Sequence, residues 1–214
     1  LSKSEQNTPR ASPDRHNPTL LDRWHISAAE LTAIVDGNPS LRGMMLGYVA
    51  EEKLSQLLEA NAHVSASMKY DDHDRTKKGD RVIVYKGHRF VFECKSLQQK
   101  TILSDGKRWT GKMQVDASDK REVRFTDGTT LNTTCLRVGE FDILAANLFA
   151  FENTWRFIFA KNDDLPRSRF KGYTPDQQRQ LLATLVPVSW PPEHPFHSDV
   201  FSVLEELVRE RSRR

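Results

Sequence analysis

The chain has 214 residues, 37% hydrophobic and 29% charged, with a formal net charge of +3. That is length for one sizeable core, and a balance that permits a polyanionic partner without demanding one. No apolar run approaches the ~20 residues that cross a bilayer, the opening LSKSEQNTPRASPDRHNP lacks the apolar stretch of a secretory signal, and two cysteines, Cys94 and Cys135, exclude a disulfide framework and suit a reducing cytoplasm.

Residues 1–18 are polar and rich in Pro and Ser, and are expected to form a disordered tail. A single domain is expected over 19–214. Ser27-Ala-Ala-Glu30 is a capping box that predicts a short helix to Val35, broken by Asp36-Gly-Asn-Pro39. Ser40 then caps a long helix from Leu41 to about Ala60, with Met44, Val49, Leu54, Leu57 and Leu58 at roughly helical spacing. Strands follow. Val64 to Tyr70 reads as an edge strand, and GDRVIVYKGHRFVFECK, residues 79–95, as a hairpin. Residues 96–121 are polar, dotted with Lys and Arg, and carry no clear period. Val123-Arg-Phe and Thr130-Leu131 around Asp127-Gly128 predict a second hairpin with a type I′ turn. Phe141–Phe149 and Trp155–Ala160 are apolar enough for central strands. Thr174-Pro-Asp-Gln177 opens a helix to about Leu185, Trp190-Pro-Pro and His194-Pro make a stiff connector, and Ser198 to Arg211 is a final amphipathic helix. Helix, several strands, then helices (174–213) indicates a mixed sheet flanked by helices.

The hairpin carries the chemistry. With Gly87-His88 as a two-residue type II′ turn, Val84 faces Val91, Val82 faces Glu93 and Asp80 faces Lys95. Alternation then puts Asp80, Val82, Val84, Val91, Glu93 and Lys95 on one face and Arg81, Ile83, Tyr85, Phe90, Phe92 and Cys94 on the other. Two neighbouring carboxylates near a sheet resolve their repulsion by a raised pKa or a bound cation. Hard divalent cations such as Mg²⁺ accept one or two carboxylates with waters retained. A lysine beside them would orient a water or balance charge on a phosphate. The competing reading is a solvated rim with an ordinary ion pair.

Gly79-Asp80, twelve intervening residues, then Glu93-Cys94-Lys95 resembles the PD-(D/E)XK nuclease superfamily, to which many restriction endonucleases and Holliday-junction resolvases belong. Gly79 stands where that pattern usually has Pro. Gly47-Tyr-Val-Ala-Glu51-Glu52 resembles the helix that often adds a glutamate, with Glu51 the better match. The resemblance implies an α/β restriction-endonuclease-like fold with a central mixed β-sheet flanked by α-helices, its core at about 41–160. It implies Mg²⁺, with Mn²⁺ able to substitute, held by Asp80, Glu93, the Cys94 backbone carbonyl and, further out, Glu51. Lys95 would work on the attacking water, and the activity would be DNA phosphodiester hydrolysis in restriction or another anti-phage defence. A homodimer would supply the two sites that cutting both strands needs. A nuclease-like module that binds nucleic acid without cutting it, and a structure-specific nuclease or RNase, stand as alternatives.

Further candidates surround that motif. Lys100, Lys107, Arg108, Lys112, Gln114, Lys120 and Arg121 are expected to meet DNA phosphates, and Trp109 either stacks on a base or anchors its segment to the core. Asp71-Asp72-His73-Asp74 lacks the spacing of a calcium loop and reads as a solvated turn. Cys94 and Cys135 have no zinc-like spacing with His63, His73 or His88, and neither a Gly-x-Ser-x-Gly elbow nor a Gly-rich phosphate loop is present.

Overall fold

The computed structural model describes residues 18–70 and 79–213. Residues 1–17 of the expected N-terminal tail and the Asp71–Asp74 cluster therefore lie outside the described residues. The chain divides into two units, Leu1–Met44 and Met45–Arg214, the division falling inside the third helix.

In the first unit, α1 (Leu20–Trp24) opens on a Thr19/Asp22 capping box that the sequence reading passed over. α2 (Ala28–Gly37) opens on the expected Ser27/Glu30 box, with the Ser27 amide donating to Glu30 at 2.8 Å. α3 (Pro39–Glu59) starts two residues earlier than expected. Pro39, not Ser40, opens it, because Pro has no amide hydrogen to leave unpaired in a first turn.

The second unit is built on a five-stranded sheet. Its strands are β1 (Val64–Lys69), β2 (Arg81–Tyr85), β3 (His88–Ser96), and two later ones. Between come β4 (Leu103–Ser104), β5 (Trp109–Gln114), β6 (Asp116–Arg124) and β7 (Thr130–Cys135). β8 (Ile143–Asn147) and β9 (Phe157–Lys161), separated by the short helix α4 (Phe149–Glu152), complete the sheet in the order β1-β2-β3-β8-β9. α5 (Pro175–Gln180), β10 (Leu185–Trp190) and α6 (Val200–Ser212) follow. Only β3 and β8 run parallel; the other neighbours are antiparallel. The sheet is mixed, and β1 lies at its edge as expected.

The two faces of the sheet are covered differently. Ile83, Tyr85, Phe90, Phe92, Ile143, Ala145, Phe157 and Phe159 pack with Ala50, Leu54 and Leu58 of α3 and Val200, Val203 and Leu204 of α6. The opposite face, with Val82, Val91, Leu144, Ala146, Ile158 and Ala160, packs on Met113, Val186 and Val188. These belong to a second sheet of order β10-β5-β4. Each Val, Leu, Ile, Phe or Met side chain buried this way contributes roughly 1.5–3 kcal/mol of transfer free energy. A parallel pair needs a long crossover, which is usually a helix; here β4 to β7 make it.

Several expectations are corrected. The hairpin turn is Lys86-Gly87, not Gly87-His88: Lys86 has φ 48° and Gly87 φ 79°, so the turn is type I′. Tyr85 then faces His88, Val82 faces Val91 and Arg81 faces Phe92. The pairing has slipped by two positions, and an even slip leaves every side chain on its expected face. Lys86 holds the left-handed conformation because its amide donates to His63 O at 3.0 Å and its ammonium pairs with Glu205 at 2.5 Å. The second hairpin turns through three residues instead of a type I′ pair. Asp127 keeps a negative φ and Gly128 alone goes positive, at 85°, with the Phe125 amide bonded to Thr129 O. α5 stops at Gln180 because Leu181 and Leu182 leave the helix to bridge Arg137 and Arg167. Trp190, read as a connector, ends β10 and faces Trp109.

Candidate active site

Gly79 sets the site. Its φ is 79°, and a Cβ there would lie 2.4 Å from Val91 Cγ1 and 2.8 Å from Phe92 O. A proline, held near φ −65°, does not fit this backbone, which accounts for the departure from the usual Pro. The tight approach lets the Asp80 amide donate to Phe92 O at 2.8 Å, one step beyond the last paired residues of the hairpin. Asp80 is thereby brought abreast of Glu93, and its Oδ2 accepts the Cys94 amide at 2.7 Å.

Glu93 is 7% exposed and its Oε1 lies 2.6 Å from Lys95 Nζ. Burial, and then the charge of Asp80, push its carboxyl up to about 7, against the pull of Lys95. Burial works against the Lys95 ammonium, but Glu93 and Asp80 outweigh it and raise its pKa. Burial raises the Cys94 thiol strongly, and Asp80, Glu51 and Glu93 add to the effect, which makes this sulfur a poor nucleophile at neutral pH. Glu51 stands on α3, the helix that packs on the Cys94 face of the sheet. Its Oε2 lies 2.8 Å from Lys69 Nζ at the end of β1.

One residue that sequence reasoning missed, Glu140, and one expected elsewhere, Arg121, stand near the buried carboxyl. Glu140 adds to the upward push on Glu93, and Arg121 grips both its oxygens at 2.5 Å while also donating to Cys135 O. Nothing local signals this pair, since Arg121 lies on β6 and Glu140 beyond the end of β7. Arg121, expected at DNA, has its charge answered within the chain. So has Arg108, 2.5 Å from Glu193. Lys100, Lys107, Lys112 and Lys120 are exposed. Gln114 accepts from Gln98 and donates to Asp116. Trp109 stacks on Phe151 with ring centroids 5.7 Å apart, so it anchors its strand to the core. Asp142 is satisfied by the Val91 amide and Arg211. Arg211 is further held by Arg89 O and lies over the Phe90 ring.

Among the described residues, no group of three or more His, Cys, Asp or Glu is arranged to hold a metal. What the site offers is a pair of carboxylates, Asp80 and Glu93, with a lysine against one of them. That donor set suits a hard cation that keeps most of its waters, and Glu93, costly to ionise where it stands, would ionise readily beside such a charge. Among the described residues, no helix is long and apolar enough to cross a membrane.

No protein-family model and no curated protein matches the sequence. Among solved structures, the bacterial homing endonuclease I-Ssp6803I is similar over 63% of this chain and 85% of its own, at 17% identity and a TM-score of 0.35. A likeness that loose carries no argument here.

Proposed function

We propose that this chain is a metal-dependent DNA endonuclease of the restriction-endonuclease-like kind. The observation that carries the reading is the meeting of Asp80, Glu93 and Lys95 at one end of the hairpin, with Glu93 buried and pushed up to about 7. A carboxyl raised by burial and then by a second carboxylate is the kind of perturbed group that clusters at functional sites.

Asp80 and Glu93 would hold Mg²⁺ or Mn²⁺ through oxygen, with the Cys94 carbonyl beside them and Glu51 further out, as the superfamily resemblance implies. The ion when bound would polarise the phosphoryl group and lower the pKa of a water. The chain's own part is positioning. The Cys94 amide fixes one Asp80 oxygen and leaves the other free to turn toward a ligand. Lys95, kept charged by its neighbours, acts as a donor that orients water or meets a phosphate oxygen, and a protonated lysine cannot serve as a base. Exposed Lys100, Lys107, Lys112 and Lys120 would meet DNA phosphates. Restriction or another anti-phage role, and action as a homodimer, extend the same resemblance.

The test is supercoiled plasmid with Mg²⁺ or Mn²⁺, comparing wild type with Asp80→Asn and Lys95→Ala. Nicking or linearisation by wild type alone supports the reading. Binding without cutting by all three makes the chain a non-catalytic nucleic-acid module, and cutting of RNA alone makes it a ribonuclease.

A further inference from the structure

A cavity of about 310 Å³ opens just past Lys95, lined by Leu46, Ser96, Gln99, Asn147, Phe149 and Ala150 among others. Ser96 follows Lys95 directly on β3 and faces Asn147 on the parallel strand β8. Ser96 points to the face opposite Lys95, but Leu97 and Ile102, which also line the cavity, pack on the face of Lys95, so the cavity wraps round the end of β3 one residue, about 3.3 Å, past the lysine. Asn147 is 3% exposed, a buried amide in the wall of an open cavity. Its Nδ2 donates to Ser96 Oγ at 3.1 Å and its Oδ1 accepts the Phe149 amide at 3.0 Å. An amide has two donor hydrogens and two acceptor lone pairs; one of each is used by these contacts. The Phe149 ring is braced by Trp155, with centroids 4.3 Å apart, and Leu46 adds an apolar surface. The volume sits at the lower end of small-ligand pockets and holds one base with part of its sugar.

We infer that this cavity is a nucleobase subsite that takes one base beside the scissile phosphate out of the stack. The inference rests on the nuclease reading above and adds a determinant of which sequence or strand is cut. A braced aromatic ring and a fixed amide are the two elements with which proteins hold an unstacked base. A partly occupied amide would favour a base edge that presents both a donor and an acceptor.

Photo-crosslinking with mixed-sequence DNA carrying 5-iodouracil tests this, using the full chain in Ca²⁺ so that binding is read without cutting. The expected crosslink maps to the peptide that contains Phe149. Ala150→Leu fills the cavity with a good helix former and removes no hydrogen bond. It should cut that crosslink about tenfold or more while total DNA binding changes less than about threefold. Gln99→Ala, an exposed position whose loss does not threaten folding, should weaken the crosslink by a few-fold. A crosslink undiminished in Ala150→Leu of wild-type stability, or one that maps only elsewhere, overturns the subsite. The nuclease reading is judged separately, by whether wild type cuts the same DNA in Mg²⁺ or Mn²⁺. A protein that crosslinks at Phe149 and does not cut keeps the subsite and loses the nuclease.

Discussion

The two ends of the β2–β3 hairpin carry charge in opposite ways. At the turn, Glu205 answers both the Tyr85 hydroxyl, at 2.6 Å, and Lys86, at 2.5 Å, and its carboxyl is held below the ordinary range by Lys86 and then Tyr85. Burial, with Glu205 beside it, pushes Tyr85 up to about 12. Each group there prefers its charge state, as a structural cluster should. At the open end, among the described residues, Asp80 and Glu93 face one lysine, and Glu93 is pushed the other way, up to about 7. One cluster is balanced and half in water; the other is buried with acid in excess. The second is the arrangement that an added cation would complete.

Substitutions should separate the two ends. Asp80→Asn should abolish plasmid cutting while leaving the thermal transition close to wild type, whereas Glu205→Gln should cut at the wild-type rate and cost less than about 1 kcal/mol, because that pair is solvated. Lys95→Ala should slow single-turnover cleavage by about 10²–10³-fold, the range expected on removing one positioned donor from developing charge. Gly79→Ala attacks the open end through the backbone alone. A side chain at φ 79° costs about 1–3 kcal/mol, and the contacts with Val91 and Phe92 O would move Asp80, so calorimetry should show a Tm several degrees lower and the assay a loss of cutting. Wild-type stability and activity in Gly79→Ala would break the link between that turn and the site.

The smallest expected effect is on pH dependence. Glu93 binds its proton more tightly in the folded chain, with a pKa of about 7 against 4.5. Its contribution to stability is therefore complete below pH 4.5 and is lost as pH rises through about 7. The difference in stability between wild type and Glu93→Gln should show that slope in urea titrations. Ca²⁺ should stabilise wild type more at about pH 8 than at about pH 5, since a cation favours the ionised carboxylates. A Ca²⁺ effect independent of pH would detach Glu93 from the cation.

The open end was legible in the sequence because face assignment depends on parity. The turn was placed one residue late, yet Asp80, Glu93 and Lys95 stayed on one face, since each strand keeps its alternation under an even slip. The misplacement has a tertiary cause. Lys is an unusual residue for the first position of a type I′ turn, and Glu205, 119 residues away, holds it there. The capping boxes at Ser27 and Thr174 were legible because capping is local. Residues 96–121 were not, because β5 pairs with the distant β10, which leaves no mark within a window of sequence, and β6 breaks its alternation between Asp116 and Arg121. The grip of Arg121 on Glu140 was hidden for the same reason.

The claim that Asp80 and Glu93 share one divalent cation is tested most directly by titrating Mn²⁺ against the full chain and following free ion by electron paramagnetic resonance. One site per chain is expected in wild type and in Glu205→Gln, and it should be lost in both Asp80→Asn and Glu93→Gln. A site that survives either of those two substitutions, or a folded wild type that binds no Mn²⁺, would contradict it.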